Sequence, residues 1–189
     1  MHRRTFLLAA GSTLLAAAAP AFAASTTSPD GATDDRASLL LVVAAELLSL
    51  DLYDRALASG KLGPRLVKTF ARVRFNEQEH YDAIALQLGP SASKPGDFQF
   101  SYPAGTFDSV AGILVAVEAI ETAVLGAYLG AVTTLSSSTL RSAFARIAAS
   151  EAEHLAAVGG AIRNQPIGIS FPVALDIQQA TDRLEPFFA

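Results

Sequence analysis

Two copies of the motif Glu-x-x-His constrain this chain more than any other feature. Glu77 and His80 form the first copy, and Glu151 and His154 form the second copy 74 residues further along. Residues three apart on an α-helix lie on one face, so each motif presents a carboxylate and an imidazole together. The chain has three histidines, and two of them occupy these motifs. The two motifs therefore indicate half of a metal site inside a bundle of helices.

A repeated spacing supplies the other half of this site. Glu46 is followed seven residues later by Tyr53, and Glu121 is followed seven residues later by Tyr128. The first of these glutamates precedes its Glu-x-x-His motif by 31 residues, and the second precedes its motif by 30. The repeat predicts two helical hairpins that pair to form a four-helix bundle.

Hydrophobic periodicity places these polar residues in the middle of apolar stripes. The predicted helices cover about 34–59, 62–88, 107–133 and 139–163. Asp34 or Asp35 is expected to cap the first helix, and Thr106 or Asp108 the third. The fold class is thus all-α, a four-helix bundle over 34–163 with a long crossover between helices two and three.

The chain on either side of the bundle is predicted from its composition. Residues 24–33 are rich in small and polar residues and are expected to form a flexible N-terminus. The tail 164–189 is expected to pack on the bundle through a short helix near 173–184. Its anchoring side chains would be Phe171, Leu175, Phe187 and Phe188.

The N-terminal segment 1–23 has the pattern of an export signal. Two arginines open it, an alanine-rich apolar stretch follows, and Ala21-Phe22-Ala23 is a small-x-small cleavage site. The apolar stretch is shorter than the ~20 residues that span a bilayer, so we expect no stable membrane anchor. The string Arg3-Arg4-Thr5-Phe6-Leu7 resembles a twin-arginine signal, which favours export to the periplasm or the extracellular space. An ordinary secretory signal is the alternative.

Composition limits the chemistry of the site. The absence of cysteine excludes disulfides, thiolate metal sites and a lipid-modified cysteine anchor. No cluster of Lys or Arg is present, which argues against nucleic acid as a partner. Four buried carboxylates need compensating charge, and two divalent ions would provide it. Carboxylate and imidazole ligands without thiolate favour two Fe ions, with Mn as the alternative and Zn less favoured.

The combined pattern over about residues 36–163 resembles the ferritin-like superfamily of di-iron carboxylate proteins. It is most similar to the exported bacterial ferritin-like domain family, which includes desiccation-related proteins. The segments that carry this likeness are Phe100–Pro103, Glu121–Gly130 and Ser150–His154. The resemblance implies the metal ligands Glu46, Glu77, His80, Glu121, Glu151 and His154. It also implies that Glu77 and Glu151 bridge two ions, and that Glu118 is an additional candidate ligand, as in rubrerythrin-type proteins.

Four further residues are expected to support the ligands rather than bind metal. Tyr53 and Tyr128 would hydrogen-bond ligand side chains. Many relatives carry Asp immediately before each Glu-x-x-His motif, where it can orient a ligand histidine; this chain has Asn76 and Ser150 there. Because such neighbours tune metal affinity and redox behaviour, these two positions are departures from the family pattern.

The resemblance implies a dinuclear centre that reacts with O₂ or peroxide, as in ferroxidase chemistry or peroxide detoxification during stress. The alternative is a non-enzymatic desiccation- or stress-associated protein in which the metal site is structural. A substrate-oxidising di-metal oxygenase is a third and weaker alternative. The sequence leaves a homodimer open.

Overall fold

Four long helices and one short helix make up the computed structural model, which describes residues 32–163 and 167–189. The helices are α1 (Ala32–Ala58), α2 (Pro64–Leu88), α3 (Val110–Thr134), α4 (Ser138–Arg163) and α5 (Ile177–Leu184). Helix α1 packs on α2 and α3, and α3 packs on α4. This arrangement confirms the predicted four-helix bundle. The predicted export signal 1–23 lies outside the described residues.

Two predicted helix starts are wrong. Helix α1 begins at Ala32, inside the segment that was expected to be flexible, so neither Asp34 nor Asp35 is its N-cap. Residues Thr106–Asp108 form a separate 3₁₀ turn. Helix α3 starts after it, and the Ser109 hydroxyl caps α3 by accepting a hydrogen bond from the Gly112 backbone N–H.

The Asp35 side chain caps a different helix. Its carboxylate accepts hydrogen bonds from the Ser136 backbone N–H at 2.6 Å, the Ser136 hydroxyl at 2.8 Å and the Ser137 backbone N–H at 3.1 Å. These residues immediately precede α4, so a negative charge from α1 stabilises the N-terminus of α4. The contact joins the two hairpins at one end of the bundle.

Helix α3 is the most apolar of the described helices. By length and composition it alone among them could cross a membrane, and 61% of its most apolar window is buried inside the bundle. The central helix of a bundle can be equally long and apolar, because other helices cover it on several sides. Burial of this kind fits its place between α1 and α4.

The C-terminal tail crosses α3 as a close-fitting strap, defined here as residues 173–176. The Leu175 N–H donates to the Gly126 carbonyl at 2.9 Å, and the Leu175 side chain is 2% exposed. A Cβ atom on Gly130 would lie 1.8 Å from the Leu175 carbonyl oxygen, so this approach requires glycine. The expectation that Phe171 packs on the bundle is wrong, because its side chain is 88% exposed.

The tail ends against the crossover between α2 and α3. Phe100 and Phe188 form an isolated antiparallel β-bridge. The Phe188 side chain is buried and contacts the rings of Phe98 and Phe100 edge-on. The crossover is therefore held in place by the last residues of the chain.

Candidate metal centre

Polar side chains from all four long helices converge in the middle of the bundle. The four glutamates have no exposed surface, and the two histidines are 8% and 3% exposed. The residues are Glu46 of α1, Glu77 and His80 of α2, Glu121 of α3, and Glu151 and His154 of α4. The structure thus brings together all six residues that the sequence pattern singled out.

The six residues fall into two overlapping groups. Glu46, Glu77, His80 and Glu151 form the first, which we call the His80 position. The second, the His154 position, consists of Glu77, Glu121, Glu151 and His154. In each group one oxygen or nitrogen atom per residue lies within 4.8 Å of all the others, close enough to hold a metal ion. Glu77 and Glu151 belong to both groups.

Each imidazole turns its Nδ1 atom toward three carboxylates. His80 Nδ1 lies 2.9 Å from Glu151 Oε1, 3.4 Å from Glu77 Oε2 and 3.9 Å from Glu46 Oε2. The second imidazole has equivalent neighbours. The Nδ1 atom of His154 lies 2.9 Å from Glu77 Oε1, 3.2 Å from Glu151 Oε2 and 3.5 Å from Glu121 Oε2. The two rings stack with centroids 5.9 Å apart.

Two tyrosines hold the outer oxygens of two glutamates. The Tyr128 hydroxyl donates to Glu46 Oε1, and the Tyr53 hydroxyl donates to Glu121 Oε1. Both tyrosines are fully buried. Each bond runs between α1 and α3, which explains the repeated Glu-x6-Tyr spacing. The tyrosines fix the carboxylates so that their second oxygens face the cluster.

The inner atoms of the cluster lack hydrogen-bond partners within the described part of the chain. These atoms are Glu46 Oε2, both oxygens of Glu77, Glu121 Oε2, Glu151 Oε1 and His80 Nδ1. His80 Nδ1 is in this set although it lies 2.9 Å from a Glu151 oxygen, so the contact between the two residues is an ion pair when the imidazole is protonated. Buried polar atoms without partners are costly. Several such atoms here face the same two positions, and a metal ion at each position would bind them.

Burial and mutual repulsion control the protonation of the cluster. Burial, and then the charges of Glu77 and Glu151, raise the pKa values of Glu46 and Glu121 well above the usual range. Burial disfavours charge on His80, but the adjacent carboxylates of Glu151 and Glu77 outweigh it and raise the His80 pKa to about 9. No lysine or arginine among the described residues is buried. Protons alone therefore compensate these carboxylates until a cation does.

The family of ferritin-like domains matches residues 34–164, which is well over half of the chain. This protein belongs to the ferritin-like domain family. A search of curated proteins finds no match. The family match agrees with the helical bundle and with a buried cluster of glutamate and histidine that could hold metal.

The remaining predicted residues of this ferritin-like protein lie around the cluster. Asn76 Nδ2 is 3.1 Å from His154 Nε2, and Ser150 Oγ is 3.4 Å from the same atom. Both side chains therefore meet the outer face of one ligand histidine. Glu118 is half-buried and belongs to neither group of candidate ligands.

Ser49 is a buried polar residue near the cluster that sequence reasoning missed. Ser49 lies between Glu46 and Tyr53 on the interior stripe of α1, and its hydroxyl is buried without a hydrogen-bond partner in the described structure. The corresponding position of the second repeat, three residues after Glu121, is the fully buried Val124. The available signal was a serine in an otherwise apolar stripe.

Proposed function

We propose that this protein binds two iron ions, with manganese as the alternative, and promotes oxidation reactions with O₂ or peroxide. One metal ion would occupy the His80 position and the other the His154 position. Glu77 and Glu151 would bridge them, because these two residues alone belong to both groups. Bound iron would supply the electrons that reduce O₂ or peroxide, which is ferroxidase or peroxide-detoxifying chemistry.

The observation that carries the proposal is that the two oxygens of a carboxylate have different surroundings. The outer oxygens of Glu46 and Glu121 are held by tyrosine hydroxyls, whereas their inner oxygens accept no hydrogen bond from the described residues and face His80 and His154 only across 3.9 Å and 3.5 Å. Four carboxylates balance two divalent ions, and an all-oxygen-and-nitrogen ligand set suits Fe and Mn. A bundle that merely tolerated buried polar residues would be expected to hydrogen-bond these atoms to one another.

The surrounding chain contributes three effects of its own. Complete burial of the glutamates excludes bulk water, which strengthens every electrostatic interaction inside the cluster. The Tyr53 and Tyr128 hydroxyls each hold a proton beside a carboxylate, and burial raises the pKa of both hydroxyls, so they stay protonated. Metal binding must displace protons from the cluster, so affinity should rise with pH.

We also propose that the protein acts outside the cytoplasm. The proposal rests on the arginine pair, the apolar stretch and the cleavage site of segment 1–23. Export of the folded chain through a twin-arginine route would allow the metal to be loaded before crossing. Detoxification of peroxide or removal of Fe²⁺ there would protect the cell during stress, including desiccation.

Oxidation of Fe²⁺ tests the proposed reaction. Fe²⁺ is added to the purified protein under O₂, and separately under peroxide without O₂, and Fe³⁺ formation is followed optically. The wild type should oxidise Fe²⁺ at least 10-fold faster than Fe²⁺ in buffer. The double variant Glu77→Gln/Glu151→Gln should lose this acceleration.

The matched control is Glu79→Gln/Glu153→Gln. It makes the same change of charge in the same two motifs, but both of its side chains lie outside the buried cluster. It should retain the wild-type rate. A wild type that binds two metal ions and accelerates neither reaction would refute the enzymatic proposal and favour the alternative, a stress-associated protein with a structural metal site.

A further inference from the structure

We propose that the two metal positions are unequal, because Asn76 orients His154 and no residue in the described part of the chain does the same for His80. The His154 position would fill first, and the His80 position would hold the weaker, exchangeable ion. Asn76 would act as a positioning residue that works through His154. This inference rests on the proposed dinuclear centre and specifies how its two halves differ.

The two halves of the site use their equivalent residues differently. Asn76 immediately precedes Glu77, and Ser150 immediately precedes Glu151. Asn76 reaches from α2 to the outer nitrogen of His154 on α4, with 3.1 Å between Asn76 Nδ2 and His154 Nε2. The two-fold relation between the hairpins would have Ser150 reach from α4 to His80 on α2. Its shorter side chain instead lies 3.4 Å from His154 on its own helix.

Both orienting groups therefore serve the same imidazole. Within the part of the chain that the structure describes, no side chain is hydrogen-bonded to the outer nitrogen of His80. His80 is also the more exposed of the two histidines, at 8% against 3%. His154 is held from outside by protein, whereas His80 borders solvent.

The chemistry of imidazole links the outer contact of each histidine to the metal affinity of its position. A neutral histidine that binds metal through Nδ1 carries its proton on Nε2. That N–H needs an acceptor, which both fixes the ring and raises the basicity of the ligand atom. The Asn76 amide can turn its oxygen to this point by a half-turn of its planar group. His80 must find its acceptor in water, which leaves its ring orientation less restricted.

The size of the effect follows from measurements on other metal sites. Loss of a group that orients a ligand histidine typically lowers metal affinity about 10–100-fold. The two positions share Glu77 and Glu151, and each adds one further glutamate and one histidine. Because the ligand sets match in type and number, the outer contact of the histidine is the main difference between them.

Stepwise binding of Zn²⁺ to the metal-free protein tests the proposal without relying on activity. Zn²⁺ is redox-silent and diamagnetic, so calorimetry gives the affinities and histidine ¹⁵N NMR shows which ring is occupied. In the wild type, His154 signals should change with the first equivalent and His80 signals with the second. Asn76→Ala should weaken the first step about 10–100-fold, and Asn76→Asp, which restores an acceptor, should recover it.

The variant Ser150→Asn supplies a gain-of-function arm. By the two-fold relation of the hairpins, an asparagine at this position should reach His80 as Asn76 reaches His154. It should raise the affinity for the second Zn²⁺ ion by about 10-fold or more, so that the affinities of the two positions become similar. This arm stays informative even if Asn76→Ala fails to fold.

The outcomes separate the two claims. Simultaneous filling of both positions, earlier filling at His80, or no tightening of the second step by Ser150→Asn would overturn the inequality while leaving the dinuclear centre intact. Failure of the wild type to bind any Zn²⁺ would overturn the proposed metal centre, and this inference with it.

Discussion

The contact between the tail strap and α3 gives a sharp prediction about stability. Gly130→Ala places a Cβ atom 1.8 Å from the Leu175 carbonyl oxygen and 2.7 Å from its carbonyl carbon. Both atoms belong to the backbone, so no side-chain rotation relieves the clash. The closest ordinary contact is 3.4 Å, so the strap must move away by about 1.6 Å.

Three contributions set the magnitude. The shift breaks the hydrogen bond from Leu175 N–H to the Gly126 carbonyl, worth about 1 kcal/mol. It also exposes part of the buried Leu175 side chain, whose full burial is worth about 2–3 kcal/mol. Alanine favours the helix by about 1 kcal/mol over glycine. The net expectation is a loss of about 2 kcal/mol of unfolding free energy.

Urea unfolding followed by circular dichroism measures this loss. Gly168→Ala is the control, because a Cβ there meets nothing within 4 Å and the residue is exposed and lies in no helix, so its stability should not fall below that of the wild type. Gly126→Ala meets mainly the flexible Leu175 side chain and should have an intermediate effect. A Gly130→Ala protein as stable as the wild type, or more stable, would refute the reasoning, since helix propensity alone predicts a gain.

Three further predictions use the same unfolding assay on metal-free protein. Tyr128→Phe and Tyr53→Phe should each lower stability by about 1–3 kcal/mol, because each removes a buried hydroxyl donor to a carboxylate; an effect below about 0.5 kcal/mol would contradict this. Ser49→Ala should be neutral or stabilising, because the hydroxyl has no hydrogen-bond partner among the described residues, and a clear loss of stability would contradict this. Burial opposes ionisation of Asp35, but hydrogen bonds from Ser136 and Ser137 outweigh it and lower the Asp35 pKa. Its stabilisation is therefore complete above the unfolded-state pKa of about 3.9 and is lost as the pH falls through the folded-state pKa. The loss of unfolding free energy caused by Asp35→Asn at pH 7 should shrink as the pH falls below about 3.9. A loss that does not depend on pH would contradict a stabilising role of the ionised Asp35 side chain.

Local sequence patterns were sufficient to predict the bundle and the cluster. Each helix carries an apolar stripe with a glutamate at its centre, and a buried acid in such a stripe needs partners from other stripes. The matching separations of Glu46 from Glu77 and of Glu121 from Glu151 are enough to pair the two hairpins. Helix ends were less accurate: a 3₁₀ turn precedes α3, and α1 begins two residues before Asp34.

Several features that the sequence did not reveal join residues distant in the chain. Asp35 lies 101 residues from Ser136, and Asn76 lies 78 residues from His154. Periodicity describes one helix at a time, so it cannot show that Asp35 caps α4 or that Asn76 and Ser150 meet the same histidine. The close approach of Leu175 to Gly126 and Gly130 likewise depends on how the tail crosses α3.

Metal content of the protein tests the central claim most directly. The protein is purified after export by its native route, and bound metals are counted by elemental analysis for the wild type, Glu77→Gln/Glu151→Gln and Glu79→Gln/Glu153→Gln. We expect two iron or manganese ions per chain in the wild type and in the Glu79→Gln/Glu153→Gln control, and none in the variant that lacks both shared glutamates. Two ions retained in that variant, or no stoichiometric metal in the wild type, would contradict the account.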